Sequence, residues 1–197
     1  MVGRAEWDRR YESSAHLFIV EADAELVSRV KDLVPGSAVD LGAGEGRISA
    51  WLARAGWRVT AVDFSKVALD RLRELAAAEE LPIEAVETEI EDYVGGGARF
   101  DLVVMANIHP ASNERRRLFR AAAEAVAPGG HLFVVGHHLD SLGQAGPPDG
   151  DRLYTEDRLE GAFPGLEVLE AHRLARAHGD AGVPVVDLVV WAARPPV

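Results

Sequence analysis

The chain has no cysteine among its 197 residues. That absence removes every mechanism that needs a thiolate: cysteine hydrolases, thiol redox relays, cysteine zinc sites and the covalent adducts that activate pyrimidine C5. It also leaves no disulfide framework, which fits a cytoplasmic protein. Basic residues are scarce as well, with 21 Lys+Arg against 32 Asp+Glu and a formal charge of −11. Nucleic acid is therefore not expected as a partner, because affinity for a phosphate backbone comes mainly from Lys and Arg displacing counterions. The one dense basic run, Arg115-Arg116-Arg117, is expected to be a solvated helix face. No apolar run approaches the roughly 18 residues of a membrane helix, and the first residues lack the apolar stretch of a signal peptide, so neither membrane insertion nor export is expected.

What is present is an ordinary globular composition, 48% apolar and 27% charged, in a length that suits one domain over residues 1–197. Short apolar runs alternate with helical stretches, the pattern of a parallel-sheet α/β architecture. Helices are expected over 5–13 and 20–34, the second ended by Pro35-Gly36. Strands are expected at 37–41, 57–62, 83–86 (with 87–91 as its exit), 100–105 and 132–135. Between them fall a helix over 47–54, one capped by Ser65, and one capped by Ser112 or Asn113 that runs to Val126 before Pro128-Gly129-Gly130. Residues 136–154 read as a long Gly- and Pro-rich loop in which Leu139, Leu142, Pro147 and Pro148 can line an apolar pocket. A short helix starts at Thr155, and the runs 166–174 and 183–192 flank Gly179-Asp-Ala-Gly182 as an antiparallel hairpin.

The most informative segment is Val39-Asp40-Leu41-Gly42-Ala43-Gly44-Glu45-Gly46, at the end of the first strand, where open α/β sheets bind ligands. Glycines there let the backbone come close to a ligand and adopt positive φ. Asp63 stands nineteen residues beyond Gly44 at the end of the next strand, placed to accept from both hydroxyls of a ribose; the plainer alternative is a helix-capping aspartate before Ser65. A dinucleotide loop would require glycine at position 47, which is Arg47. Asp40 is also awkward beside a pyrophosphate, whereas it suits a ligand that carries a cation. S-adenosylmethionine has an ammonium and a sulfonium and no phosphate.

On these residues the chain resembles the class I S-adenosylmethionine-dependent methyltransferases. Trp7-Asp-Arg-Arg-Tyr11, the 38–47 loop with its Gly-Glu-Gly-Arg end, Trp51-Leu-Ala-Arg-Ala-Gly-Trp57 and Val59-Thr-Ala-Val-Asp-Phe-Ser65 resemble, more narrowly, the small bacterial branch related to tellurite-resistance and thiopurine methyltransferases. The resemblance implies a Rossmann-like, doubly wound seven-stranded sheet, mostly parallel with an antiparallel C-terminal strand. It implies that S-adenosylmethionine is bound and S-adenosylhomocysteine released. Gly42, Ala43 and Gly44 would line the methionine part, with Asp40 near the ammonium and Arg47 also in the cofactor set. Asp63 would hold the ribose and Phe64 would pack on adenine. Glu89 would accept from the adenine amine and Ile90 would supply a backbone contact; the branch more often has aspartate at the first position, which leaves Asp92 as a substitute. Ala106 and Asn107 would face the sulfonium, and Trp7 and Tyr11, within the N-terminal helices of 1–35, would close over the cofactor or simply pack on the sheet.

For the acceptor side the candidates are His109, His137 and His138, which follow the fourth and fifth strands at the sheet edge that binds ligands. Adjacent residues at a strand end point to opposite sides, so His137 and His138 are not expected to act together. His16, His131, His172 and His178 are expected to be structural. No metal is expected; His109, His137 and Asp140 come from loops without a recognised ligand spacing. The segment Ala106-Asn-Ile-His-Pro110 lacks the Asn/Asp-Pro-Pro-aromatic motif that resembles amino-group methylation. With the net charge, this favours a small soluble acceptor enclosed by the 136–154 loop. Two alternatives from other classes are a non-catalytic S-adenosylmethionine-binding partner protein and a nicotinamide oxidoreductase. Oligomeric state is not legible.

Overall fold

Leu102, Val103, Val104 and Met105 follow one another in the chain and alternate between two separate cores: Val103 and Met105 in one, Leu102 and Val104 in the other. That is how a strand covered on both faces reads as an unbroken apolar run. It belongs to β4 (Phe100–Ala106), whose companions are β1 (Ser37–Leu41), β2 (Arg58–Asp63), β3 (Ile83–Glu87), β5 (Val126–His137), β6 (Glu167–Arg176) and β7 (Val185–Ala193). The computed structural model describes residues 3–14, 21–176 and 184–197. Its seven strands form one sheet in the order β3-β2-β1-β4-β5-β7-β6. The first five pair in parallel, and β7 runs antiparallel to both β5 and β6, as expected for the doubly wound sheet.

The helices are α1 (Arg4–Glu12), α2 (Ala24–Val30), α3 (Arg47–Arg54), α4 (Lys66–Ala78), α5 (Ile90–Val94), α6 (Ser112–Glu124) and α7 (Glu156–Leu159). One core joins Val94, Leu118, Phe119 and Leu159 of α5, α6 and α7 to the sheet, and the other joins Leu26, Val30, Ile48 and Leu52 of α2 and α3. Leu69 and Leu72 place α4 on Ala61 of β2. The crossover directions diverge between β1 and β4, where Leu41 is level with Met105. The chain therefore leaves both strands side by side at the sheet's topological switch point, the crevice where such folds bind ligands.

Several sequence expectations are corrected. The second helix is confined to Ala24–Val30, held by the Asp23 side chain accepting from Glu25 N–H. The exit of β3 is a helix, α5, because Ile90 and Val94 lie one turn apart and turn inward. Pro128-Gly129-Gly130 does not separate α6 from β5: the strand begins at Val126 and carries these residues at a register shift, with Gly129 at φ 77°. Residues 136–154 are ordered around two short 3-10 turns, Leu139–Ser141 and Gly150–Arg152. Leu139 and Leu142 approach Gly150 of the same segment, and Leu142 is exposed, so these leucines pack on the loop itself. Neither Ser112 nor Asn113 caps α6; Ser112 N–H instead donates to Asp151 at 2.8 Å. Arg115 is not a solvated residue of the basic run but is buried and donates to the Asp151 carbonyl. The expected turn at 179–182, His16 and His178 lie outside the described residues.

Candidate functional site

Gly42 and Ala43 donate their N–H groups to the Val62 carbonyl at 2.8 and 3.0 Å, fastening the loop after β1 to the end of β2. Gly42 has φ 74°, and a Cβ there would collide with the Ile108 side chain. Gly44 has φ 55°, and a Cβ would lie 2.7 Å from the Tyr11 hydroxyl. Backbone conformation and close approach both require glycine at these two places. Asp63 accepts from Gly44 N–H and from Ser65 N–H, each at 2.8 Å. It thus grips the glycine loop and holds the backbone of Ser65, which itself caps α4. Burial raises its pKa, opposed by the backbone donors of Ser65, Gly44 and Phe64.

Asp40 is buried on β1 and accepts from the Ser49 hydroxyl of α3 at 2.7 Å. Loss of water pushes its pKa up to about 6, with the Ser49 bond opposing. A buried carboxyl in that state is chemically suited to a cation. Arg47 opens α3 directly after Gly46 and is half-buried. Beyond β2, Phe64 is half-buried beside Asp63, Ile90 lies near Gly42, and Glu89 and Asp92 are exposed. Ala106 ends β4 half-buried, and Asn107 turns the chain with φ 58° while its N–H donates to Val135 at 2.8 Å.

Over this cleft lies α1. Ser65, the N-cap of α4, donates its hydroxyl to Asp8 at 2.5 Å. Arg71 of α4 donates to the carbonyls of Tyr11 and Ser14 and pairs with Glu45 of the glycine loop. Tyr11 is buried, 5.9 Å from Trp7, and its pKa is raised by burial and then by Asp63. The structure therefore brings Tyr11, Gly44 and Asp63 together in one cluster.

The family profile described as "Methyltransferase domain" matches residues 38–130, a span that contains the glycine loop, Asp63 and the β1/β4 crevice. Those residues form a methyltransferase domain. The chain is 36% identical over 97 residues to a ubiquinone biosynthesis O-methyltransferase of Methylobacterium sp. (strain 4-46), an alignment covering 49% of this chain and 39% of that one. It is 35% identical over 109 residues to a ribosomal RNA small subunit methyltransferase C of Alcanivorax borkumensis, covering 51% and 32%. The match thus spans well under half the length of each relative. The fold also matches the crystal structure of TehB from Haemophilus influenzae, with TM-score 0.74 and 19% identity over 97% of this chain and 66% of that one. No helix among the described residues is long and apolar enough to cross a membrane.

Beside the glycine loop, Ile108 leads to His109. The His109 ring is stacked on His137, with centroids 5.2 Å apart and planes 9° apart, and tilts against Tyr154 at 5.3 Å. Both its ring nitrogens are buried without a hydrogen-bond partner among the described residues. Burial, then the neighbouring His137, pushes its pKa down to about 4, so the ring is neutral at ordinary pH. Tyr154 donates to the Ile108 carbonyl and Arg152 to the His109 carbonyl, the latter at 3.1 Å, which ties the 136–154 segment to the crevice. His138 lies apart from the other two: it is buried, its Nδ1 accepts from Asp140 N–H at 3.0 Å, and its Nε2 is 3.5 Å from Glu156. His131 stacks on Trp191 and His172 faces Glu25 and Glu170. Among the described residues no cluster of three or more potential ligands is arranged to hold a metal ion, and His137 Nδ1 meets Asp187 rather than Asp140.

Sequence reasoning missed Asp187, Arg176 and Asp151. A lone carboxylate within Val185-Val186-Asp187-Leu188-Val189-Val190 is the one signal that could have flagged Asp187, since an acid in a buried apolar strand needs a partner.

Proposed function

We propose that the chain transfers a methyl group from S-adenosylmethionine to a small soluble acceptor. The observation that carries this reading is the glycine cradle at Gly42 and Gly44, gripped by Asp63 at the switch point and covered by Tyr11 of α1. Gly42, Ala43 and Gly44 line the methionine part, Asp40 and Arg47 flank its charged end, and Asp63 accepts from the ribose. Phe64 and Ile90 sandwich the adenine, with Glu89 or Asp92 at its amine. Ala106 and Asn107 border the sulfonium, and Trp7 with Tyr11 keeps water out. S-adenosylmethionine supplies an already activated methyl group, so the chain's own work is to align the acceptor with it and to exclude competing water.

A small acceptor is supported by the charge of −11 and by the inward turn of Arg115, which removes one cation from the basic run a nucleic acid would need. His109 and His137 stand on the acceptor side; the separate engagement of His138 gives it a role in holding the 136–154 segment. Titration calorimetry with S-adenosylhomocysteine tests the cofactor assignment, and turnover of small compounds against structured RNA tests the acceptor class. Methylation of RNA alone would overturn the second.

A further inference from the structure

His137 and Asp187 face each other across the β5/β7 pair, fifty residues apart in sequence but level in the sheet register. His137 Nδ1 lies 2.8 Å from Asp187 Oδ1. The other oxygen of Asp187 is 2.8 Å from Arg176 Nε on β6, and Arg176 also pairs with Asp23 at 2.7 Å. Asp187 is buried, whereas the His137 side chain is 23% exposed, so the pair presents one polar end towards solvent. A carboxylate can only accept, so the hydrogen sits on His137 Nδ1, and in the neutral ring Nε2 carries the lone pair. The flat face of His137 rests on His109, which continues the segment from Ile108 beside Gly42. The pair therefore stands at the acceptor side of the methyl-donor cleft.

We infer that Asp187 and His137 form a proton-accepting dyad and that the acceptor is a compound whose hydroxyl, phenolic or alcoholic, arrives protonated. This inference rests on the methyl-transfer reading above and specifies its substrate class. As the acceptor oxygen forms its bond to the methyl carbon, its O–H proton passes to His137 Nε2, and the electron pair of the broken carbon–sulfur bond stays on sulfur, which loses its positive charge. The imidazolium so formed is held by Asp187. An acceptor that arrives ionised would need no such device. Asp187 is a positioning residue, and His137 is the group that touches substrate. The charged or titratable groups around His137 are Asp187 on β7, Arg176 behind it on β6, and His109 after β4, with Tyr154 on the far side of His109.

The first test needs no donor: long-range ¹⁵N–¹H spectra of histidine side chains in the unliganded protein, with His137 assigned by His137→Gln. Neutral His137 is expected as the Nδ1–H tautomer, and Asp187→Asn is expected to abolish that preference. An Nε2–H tautomer in the wild type, or no change in Asp187→Asn, overturns the dyad. The second test compares phenols and aliphatic alcohols with thiols and carboxylates that are ionised at the assay pH. Asp187→Asn is expected to lower kcat on hydroxyl acceptors about 100-fold with KM little changed, in line with general-base catalysis. Turnover restricted to pre-ionised acceptors, turnover of no hydroxyl compound, or equal losses on both classes overturns the substrate assignment. Absence of S-adenosylhomocysteine binding by calorimetry would instead sink the methyl-transfer reading, while the tautomer measurement still judges the dyad.

Discussion

The carboxylate of Asp63 accepts the backbone N–H of Gly44 at 2.8 Å, joining the end of β2 to the middle of the glycine loop. The bond fastens the loop to the strand beside it. The Tyr11 hydroxyl lies over the same glycine, so β2, the loop and α1 converge on one residue. Gly44→Ala is expected to weaken S-adenosylhomocysteine binding by at least tenfold, because the added methyl meets Tyr11 and the residue must keep φ 55°. Fluorescence titration against the wild type measures it, and an unchanged affinity would place the cofactor elsewhere.

Arg71 ties the end of α1 to the body of the protein, donating to the carbonyls of Tyr11 and Ser14 while pairing with Glu45 of the glycine loop. Arg71→Met should speed amide exchange across residues 4–12 by at least tenfold while leaving exchange in β1 and β4 unaltered. Equal exchange in the two proteins would show that α1 is anchored by other contacts.

Asp40 and His109 oppose each other in their effect of pH on stability. The His109 pKa is depressed to about 4, so between that value and its unfolded value the unfolded chain binds more protons and stability falls as pH falls. The loss attributable to His109 between pH 7 and 5 is on the order of 2 kcal/mol. His109→Gln should remove that dependence in urea unfolding, so that wild type and variant converge or cross on acidification. A constant difference between them from pH 5 to 7 would contradict the burial argument.

For Asp40 the raised carboxyl has the opposite sign: its contribution to stability is present at low pH and fades as pH climbs from the unfolded value towards 6. An ammonium nearby would favour the ionised form. Affinity for S-adenosylmethionine should therefore rise between pH 5 and 7 with proton release, and Asp40→Asn should flatten that rise. Calorimetry in buffers of different ionisation enthalpy reads the proton directly; no proton release at pH 5.5 would remove Asp40 from the ammonium.

Residues whose role is local were legible in the sequence. The glycine loop, Asp63 at the end of β2 and the alternation of parallel strands each follow from backbone rules that act within a few residues. What was not legible depends on pairing across the sheet or between distant loops. Asp187 looks like an anomaly in an apolar strand until β7 lies against β5 and brings it to His137. Arg115 reads as surface in a run of three arginines, and only the fold of 149–153 gives its guanidinium a carbonyl to meet. Pro128 reads as a strand boundary because a proline cannot donate to a ladder, yet the register shift between Phe100 and Leu102 accommodates it. Asp151 caps α6 from 39 residues away, which no local capping rule can supply.

Titration calorimetry of the wild type and Asp63→Ala with S-adenosylhomocysteine, with NAD as control, tests the cofactor site most directly. Wild type should bind S-adenosylhomocysteine saturably at one site and not NAD. Asp63→Ala should bind at least tenfold more weakly, about 1.4 kcal/mol or more, as expected from losing charge-assisted hydrogen bonds to the ribose. No binding by the wild type, or equal binding by the variant, would contradict the placement of the cofactor against Asp63 and Gly44.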